Sequence, residues 1–134
     1  MNNPFVFKNL HLIISLLVVV PAALIYGLSP SKSLPLLFDF EVASVDLKSV
    51  FRAIMGLYLC TSAVWILGIL KNSFWNTATI LNLVFMGGLG LGRLVGIILD
   101  GIPSPAFALG TVGELTLAIF AFYQFKKNVS SKSD

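Results

Sequence analysis

Four ionisable residues stand within or against long apolar stretches of this chain: Arg52, Arg93, Asp100 and Glu114. A charge inside an apolar helix is costly, so each needs a partner, water or a task. A guanidinium can pair with a carboxylate in a fork of two hydrogen bonds, or grip a phosphate, carboxylate or polarised carbonyl. The stretch that carries Arg93, residues 86–101, reads MGGLGLGRLVGIILDG. Its Gly88, Gly92 and Gly96 lie four apart and share one helical face, a pattern expected of close helix packing. Gly56 follows Arg52 by four residues, and Gly110 and Gly113 precede Glu114. The same packing role is expected of these glycines.

Other chemistries find little support. The glycines sit inside an apolar run rather than between a strand and a helix, so they do not form a phosphate-cradling dinucleotide loop. The one histidine, His11, stands near the start of the first apolar run and is expected at the membrane interface. With that histidine near the cytoplasmic face a Ser-His-acid set has no basis, and no cluster of His, Cys and carboxylates has metal-ligand spacing. Cys60 is the one cysteine and lies in a hydrophobic run, where it reads as a small apolar residue. No catalytic residue, metal or cofactor is indicated, and the balance leans against an enzyme.

The elements that must position these charges are membrane helices. Hydrophobic residues make up 57% of the 134 residues and charged residues 11%. A soluble domain carries about a quarter charged residues, so most of this surface faces something other than water. Four apolar runs are visible, at residues 10–28, 50–70, 77–99 and 105–125. Each matches the length of about 20 residues that crosses a bilayer core. The first continues through Leu24, Ile25 and Leu28, which suits an uncleaved span better than a signal peptide. Pro21 is expected to bend it. The second run bears Arg52, Gly56, Cys60 and Ala63 at helical spacing, a stripe of small residues headed by a cation. Trp75 falls where an aromatic belt would lie.

Residues 29–49 form the long connection. Pro30 and Pro35 are expected to break any helix there, and the apolar patch 34–40 to rest on the membrane surface or, less favoured, to fold over the bundle as a lid. Asp39, Glu41 and Asp46 make the segment acidic, and Ser44 or Asp46 suits an N-cap that starts the second helix before its apolar run. Ser104 is expected to cap the fourth helix, with Pro105 in its first turn. Residues 126–134 read as a polar, frayed cytoplasmic tail. The net charge of +3 comes from lysines at helix ends, which argues for membrane orientation rather than nucleic acid. Lys8, Lys71, Lys126, Lys127 and Lys132 share one side if all four runs span. The positive-inside rule then puts both termini in the cytoplasm and segment 29–49 outside.

A rise of about 1.5 Å per residue places Arg93 about 9 Å, Glu114 about 13 Å and Arg52 about 12 Å in from the outer ends of their helices. The short turn after Asp100 makes the third and fourth helices antiparallel neighbours, so an Arg93–Glu114 contact is expected and Arg52 could join it. One outcome is an ion pair that fixes helix register. The other is an outward-opening polar site with an excess positive charge, suited to an anionic or strongly polar headgroup or a quinone-like carbonyl. Asp100, seven residues beyond Arg93, would guard its mouth or cap the turn.

The set Arg52-x-x-x-Gly56-Leu57-Tyr58, Gly87-Gly88-x-Gly90-x-Gly92-Arg93-Leu94, Asp100-Gly101-x-Pro103 and Glu114 resembles DUF4345, a family of small bacterial membrane proteins without an assigned function. The resemblance covers roughly residues 50–127. It implies a four-helix integral membrane domain and marks Arg52, Arg93, Asp100 and Glu114 as its distinctive polar positions. A looser similarity of architecture links the chain to DoxX-like four-helix membrane proteins. The expectation is an all-α, multi-pass bundle in the bacterial inner membrane. Its outer-leaflet Arg/Glu cluster would bind a lipid-like or quinone-like molecule or a partner helix. A small transporter or transporter subunit, and a structural subunit of a larger complex or homo-oligomer assembled through glycine faces, are the alternatives.

Overall fold

The computed structural model describes residues 4–38 and 40–130. Five α-helices follow one another: α1 Pro4–Gly27, α2 Pro30–Leu37, α3 Val45–Leu70, α4 Trp75–Asp100 and α5 Pro105–Ser130, with a 3-10 turn at Asn72–Phe74. Four of them are long and apolar enough to cross a membrane. At 24 to 26 residues each, they run about 36–39 Å. α1, α3 and α4 begin earlier than their apolar runs do, and α5 begins with its run at Pro105. Ser44 starts α3, its hydroxyl accepting from the Leu47 amide at 3.1 Å. Gly101 stops α4 with φ of +100°, a conformation that glycine adopts without strain, while its amide still reaches the Ile97 carbonyl. Ser104 does not cap α5 through its side chain. Its carbonyl accepts from Ala108, and its hydroxyl meets no hydrogen-bond partner among the described residues.

The four long helices form a bundle in which α4 packs most extensively on α5, and α1 on α3. The tight approaches occur at Gly27 beside Met55, Gly68 beside Ala78, and Gly90, where a methyl group would come within 2.6 Å of Leu115. Of the glycines that the spacing singled out, only Gly110 is closely approached, by the Arg93 guanidinium. A Cβ added at Gly56, Gly88, Gly92, Gly96 or Gly113 would meet nothing within 4 Å. Within the chain, these five leave open surface rather than contacts. The stripe Arg52, Gly56, Cys60 and Ala63 is the exposed side of α3, and its inward side is Tyr58, Thr61, Ser62, Trp65 and Gly68. Large apolar side chains cover the outside of the bundle, among them Leu17, Ile98, Leu109 and Ile119. Lipid solvates such a surface at no cost.

Several local expectations change. Pro21 sits on the exposed side of an uninterrupted α1, so the amide hydrogen bond it removes is one to Leu17, also exposed. Segment 29–49 contains a helix after all. Pro30 occupies the first turn of α2, where its missing N–H is harmless, and Pro35 lies on the exposed side. The patch around it folds back over the bundle: Leu34 is buried, and Phe38 stacks on Phe107 of α5 with ring centroids 4.3 Å apart. Leu36 and Leu37 remain exposed beside it. Trp75 is buried rather than in a belt, with Lys8 over its ring at 4.7 Å. His11 is likewise fully buried, its Nε2 3.1 Å from the Thr79 hydroxyl. The sequence around Lys126 and Lys127 continues α5 rather than fraying, while Asp39 and residues 131–134, with Lys132, lie outside the described residues.

Candidate functional site

Arg93 and Glu114 meet. The short turn between α4 and α5 makes these helices antiparallel neighbours, and Arg93 Nη2 lies 3.1 Å from Glu114 Oε1. The two side chains keep only 23% and 14% of their exposure. Arg93 has further support. Its Nη1 donates to the Phe107 carbonyl at 3.5 Å, and its guanidinium lies 5.1 Å from the centre of the Phe107 ring. Phe107 is held in turn by the stack on Phe38. The fold of α2 over the bundle therefore closes one side of the arginine. Gly110 leaves room on another, since a methyl group there would come within 3.0 Å of Nη1. Tyr58 on α3 lines the same cleft as Arg93.

The pair forms one wall of a cleft of about 310 Å³ between α1, α3, α4 and α5. The rest of its lining is mostly apolar, with Val19, Tyr26, Met86 and Leu117 among the contributors. The cleft opens sideways between α1 and α5, where Val18, Leu109 and Gly113 are exposed. Glu114 uses one oxygen for the ion pair. Its Oε2 is buried and meets no hydrogen-bond partner among the described residues. On the other side of Arg93 lies a second cavity of about 230 Å³, bordered by Gly96, Ile97, Asp100, Gly101, Pro103 and Phe107. Arg93 thus stands between an apolar cleft and a smaller recess near the α4–α5 turn.

Of the four charges that the sequence singled out, the fold joins two. Asp100 is exposed and shares only the second recess with Arg93. Arg52 points away from the pair, exposed on the outer side of α3, and makes no ion pair among the described residues. Its long stem can carry the guanidinium toward the headgroup region, as lysine and arginine do near helix ends. The place expected for Arg52 belongs to Tyr58, and the aromatic wall of Tyr26, Phe38 and Phe107 was not anticipated. One signal for Tyr58 is present in the sequence. It opens the stripe Tyr58, Thr61, Ser62, Trp65 and Gly68, whose polar members mark the protein-facing side of a helix in lipid. Among the described residues, no group of three or more His, Cys, Asp or Glu side chains could hold a metal ion.

Four long apolar helices around a buried ion pair define a multi-pass membrane protein of the four-helix-bundle class. The chain belongs to a family described as a domain of unknown function (DUF4345), whose model matches residues 7–125. No curated protein and no solved structure matches the chain.

Proposed function

We propose that the protein is a non-enzymatic binding protein of the bacterial inner membrane that holds a neutral amphiphile in the cleft beside Arg93 and Glu114. The observation that carries this reading is the buried, unpaired Glu114 Oε2 at the wall of an otherwise apolar cleft that opens toward lipid. A buried carboxylate oxygen calls for a hydrogen-bond donor. The remaining N–H groups of Arg93 call for an acceptor. A head bearing a hydroxyl and a carbonyl, as in a quinone-like ring or a hydroxylated lipid, satisfies both. Its apolar body would lie between α1 and α5 past Val18 and Leu109. With Arg52 turned away, one cation faces one anion in the cleft, and the charge excess that favoured an anionic headgroup is gone. The volume is at the small end of the range of about 300–1,000 Å³ typical of ligand sites, so a ring or headgroup fits and a whole lipid tail would remain outside. In the orientation that the lysines favour, the termini are cytoplasmic and the cleft lies in the outer leaflet.

Native mass spectrometry of protein extracted from its own membrane tests this. The wild type should carry a neutral amphiphile that Arg93→Met and Glu114→Leu lose. A bare wild type, or retention unchanged in both variants, would overturn the reading.

A second reading rests on the open row of Gly88, Gly92 and Gly96, which would let α4 dock a second copy or a partner helix. Gly92→Leu should then change the size of the protein on a detergent column. Transport has weaker support, because the buried apolar side chains of Val19 and Met86 close the inner wall of the cleft.

A further inference from the structure

A different part of the bundle carries an inference that does not depend on the cleft. Two contacts fix the helix levels near the N-terminal end. The His11–Thr79 hydrogen bond sets α1 against α4, which runs in the same direction. The meeting of Gly68, Ala78 and Leu12 sets α3, which runs the opposite way, against both. One turn further along the bundle from these contacts come Ser15 on α1, Asn82 on α4 and Trp65 on α3, with Ser62 just beyond. Each shares a helical face with a residue of the fixing contacts: Ser15 with His11, Asn82 with Thr79, and Trp65 with Gly68. Ser15, Trp65 and Asn82 have no exposed surface and Ser62 keeps 2%.

None of the polar atoms in this layer is satisfied among the described residues. Ser15 Oγ, Ser62 Oγ, Trp65 Nε1 and both Asn82 amide atoms are buried without a partner. The hydroxyls of Thr111 and Thr116, by contrast, bond to carbonyls one turn back in their own helix. Lipid offers no hydrogen bonds, so buried polar groups in a membrane bundle must be satisfied from within. The layer presents both donors and acceptors: the indole can only donate, while the amide and the two hydroxyls can do both. It includes no ionised group, which argues against a metal or other ion.

We propose that the Ser15, Ser62, Trp65 and Asn82 layer is a binding site for ordered water inside the bundle. A water molecule needs two to four polar partners, and this set provides them in both senses. The site is separate from the Arg93 cleft, because Val19 and Met86, about a turn further along α1 and α4, are apolar and buried. Its consequence is structural specificity: α1, α3 and α4 are joined in this half of the bundle by hydrogen bonds through water rather than by apolar contact alone.

Hydroxyl-radical footprinting by X-ray radiolysis tests the proposal on the full-length protein in detergent. Radicals formed from a bound water label the side chain beside it, even when bulk solvent cannot reach it. Trp65 should be oxidised in the folded wild type despite its complete burial. The signal should be lost in Asn82→Leu, or in Ser15→Ala if the first variant does not fold. An unlabelled Trp65 in the folded wild type overturns the proposal, as does undiminished labelling in either folded variant. If neither variant folds, the wild-type result alone decides.

Discussion

Breaking the Arg93–Glu114 pair one side at a time should be far worse than removing both charges together. Glu114→Leu leaves a guanidinium that has lost its counter-ion but keeps the Phe107 carbonyl and ring. Arg93→Met leaves a carboxylate with no cation beside it and a second oxygen already unpaired. Truncating one partner of a buried pair costs about 3–5 kcal/mol. The 23% and 14% residual exposures place this pair at the lower end of that range. We expect a loss of about 3 kcal/mol for Arg93→Met, more than a hundredfold in the folded-to-unfolded ratio, and a smaller loss for Glu114→Leu. The double variant should lie within about 1 kcal/mol of wild type, since an apolar pair of similar volume carries no desolvation penalty. Reversible unfolding in mixed micelles, titrated with SDS, gives all three values and their coupling. If the single losses sum to that of the double variant within about 0.5 kcal/mol, the two charges are energetically independent and the ion pair does not organise the α4–α5 contact.

The remaining expectations concern the glycines and one cap. Gly113→Phe should abolish amphiphile retention in native mass spectrometry without loss of folded protein, because the new ring has open space at the mouth of the cleft; Gly113→Ala should stabilise α5 by up to about 1 kcal/mol. Gly68→Val should cost about 1–3 kcal/mol in the same SDS titration, because its branched side chain would collide with Ala78. Ser44→Ala should cost about 1 kcal/mol through loss of the α3 cap, and hydrogen exchange should show the loss as faster exchange confined to the first turn of that helix.

Tertiary packing overturned the reading of α3. Arg52, Gly56, Cys60 and Ala63 made a plausible inner stripe, since small residues suit close packing. The inner side is instead Tyr58, Thr61, Ser62, Trp65 and Gly68. In water, hydrophobic periodicity tells inside from outside, because the outer face is polar. In lipid the outer face is as apolar as the core, and the contrast fades. What remains is weaker and inverted: the polar side chains point inward. Thr61 and Ser62 carried that signal, as did Thr79 and Asn82 on α4, and His11 carried it on α1. Glycine spacing does not tell contacts within the chain from open surface, for the same reason. Gly88, Gly92 and Gly96 have the spacing of a packing face, yet it is Gly27, Gly68 and Gly90 that let helices approach closely.

By itself the sequence determined the number of spanning helices, a cap at Ser44 or Asp46 for α3, the short turn after Asp100, and the meeting of Arg93 with Glu114. These follow from bilayer thickness, backbone chemistry at helix ends, and the cost of a lone charge in an apolar helix, all of which act locally or across one short turn. Only the tertiary structure decided that Arg52 stays outside while Tyr58 enters the site, that α2 folds back to stack Phe38 on Phe107, and that a layer of unpaired polar groups lies inside the bundle. Those outcomes depend on the rotation of each helix about its own axis. In an apolar solvent that rotation is set by how side chains from distant parts of the chain fit together, which hydropathy along a single helix does not encode.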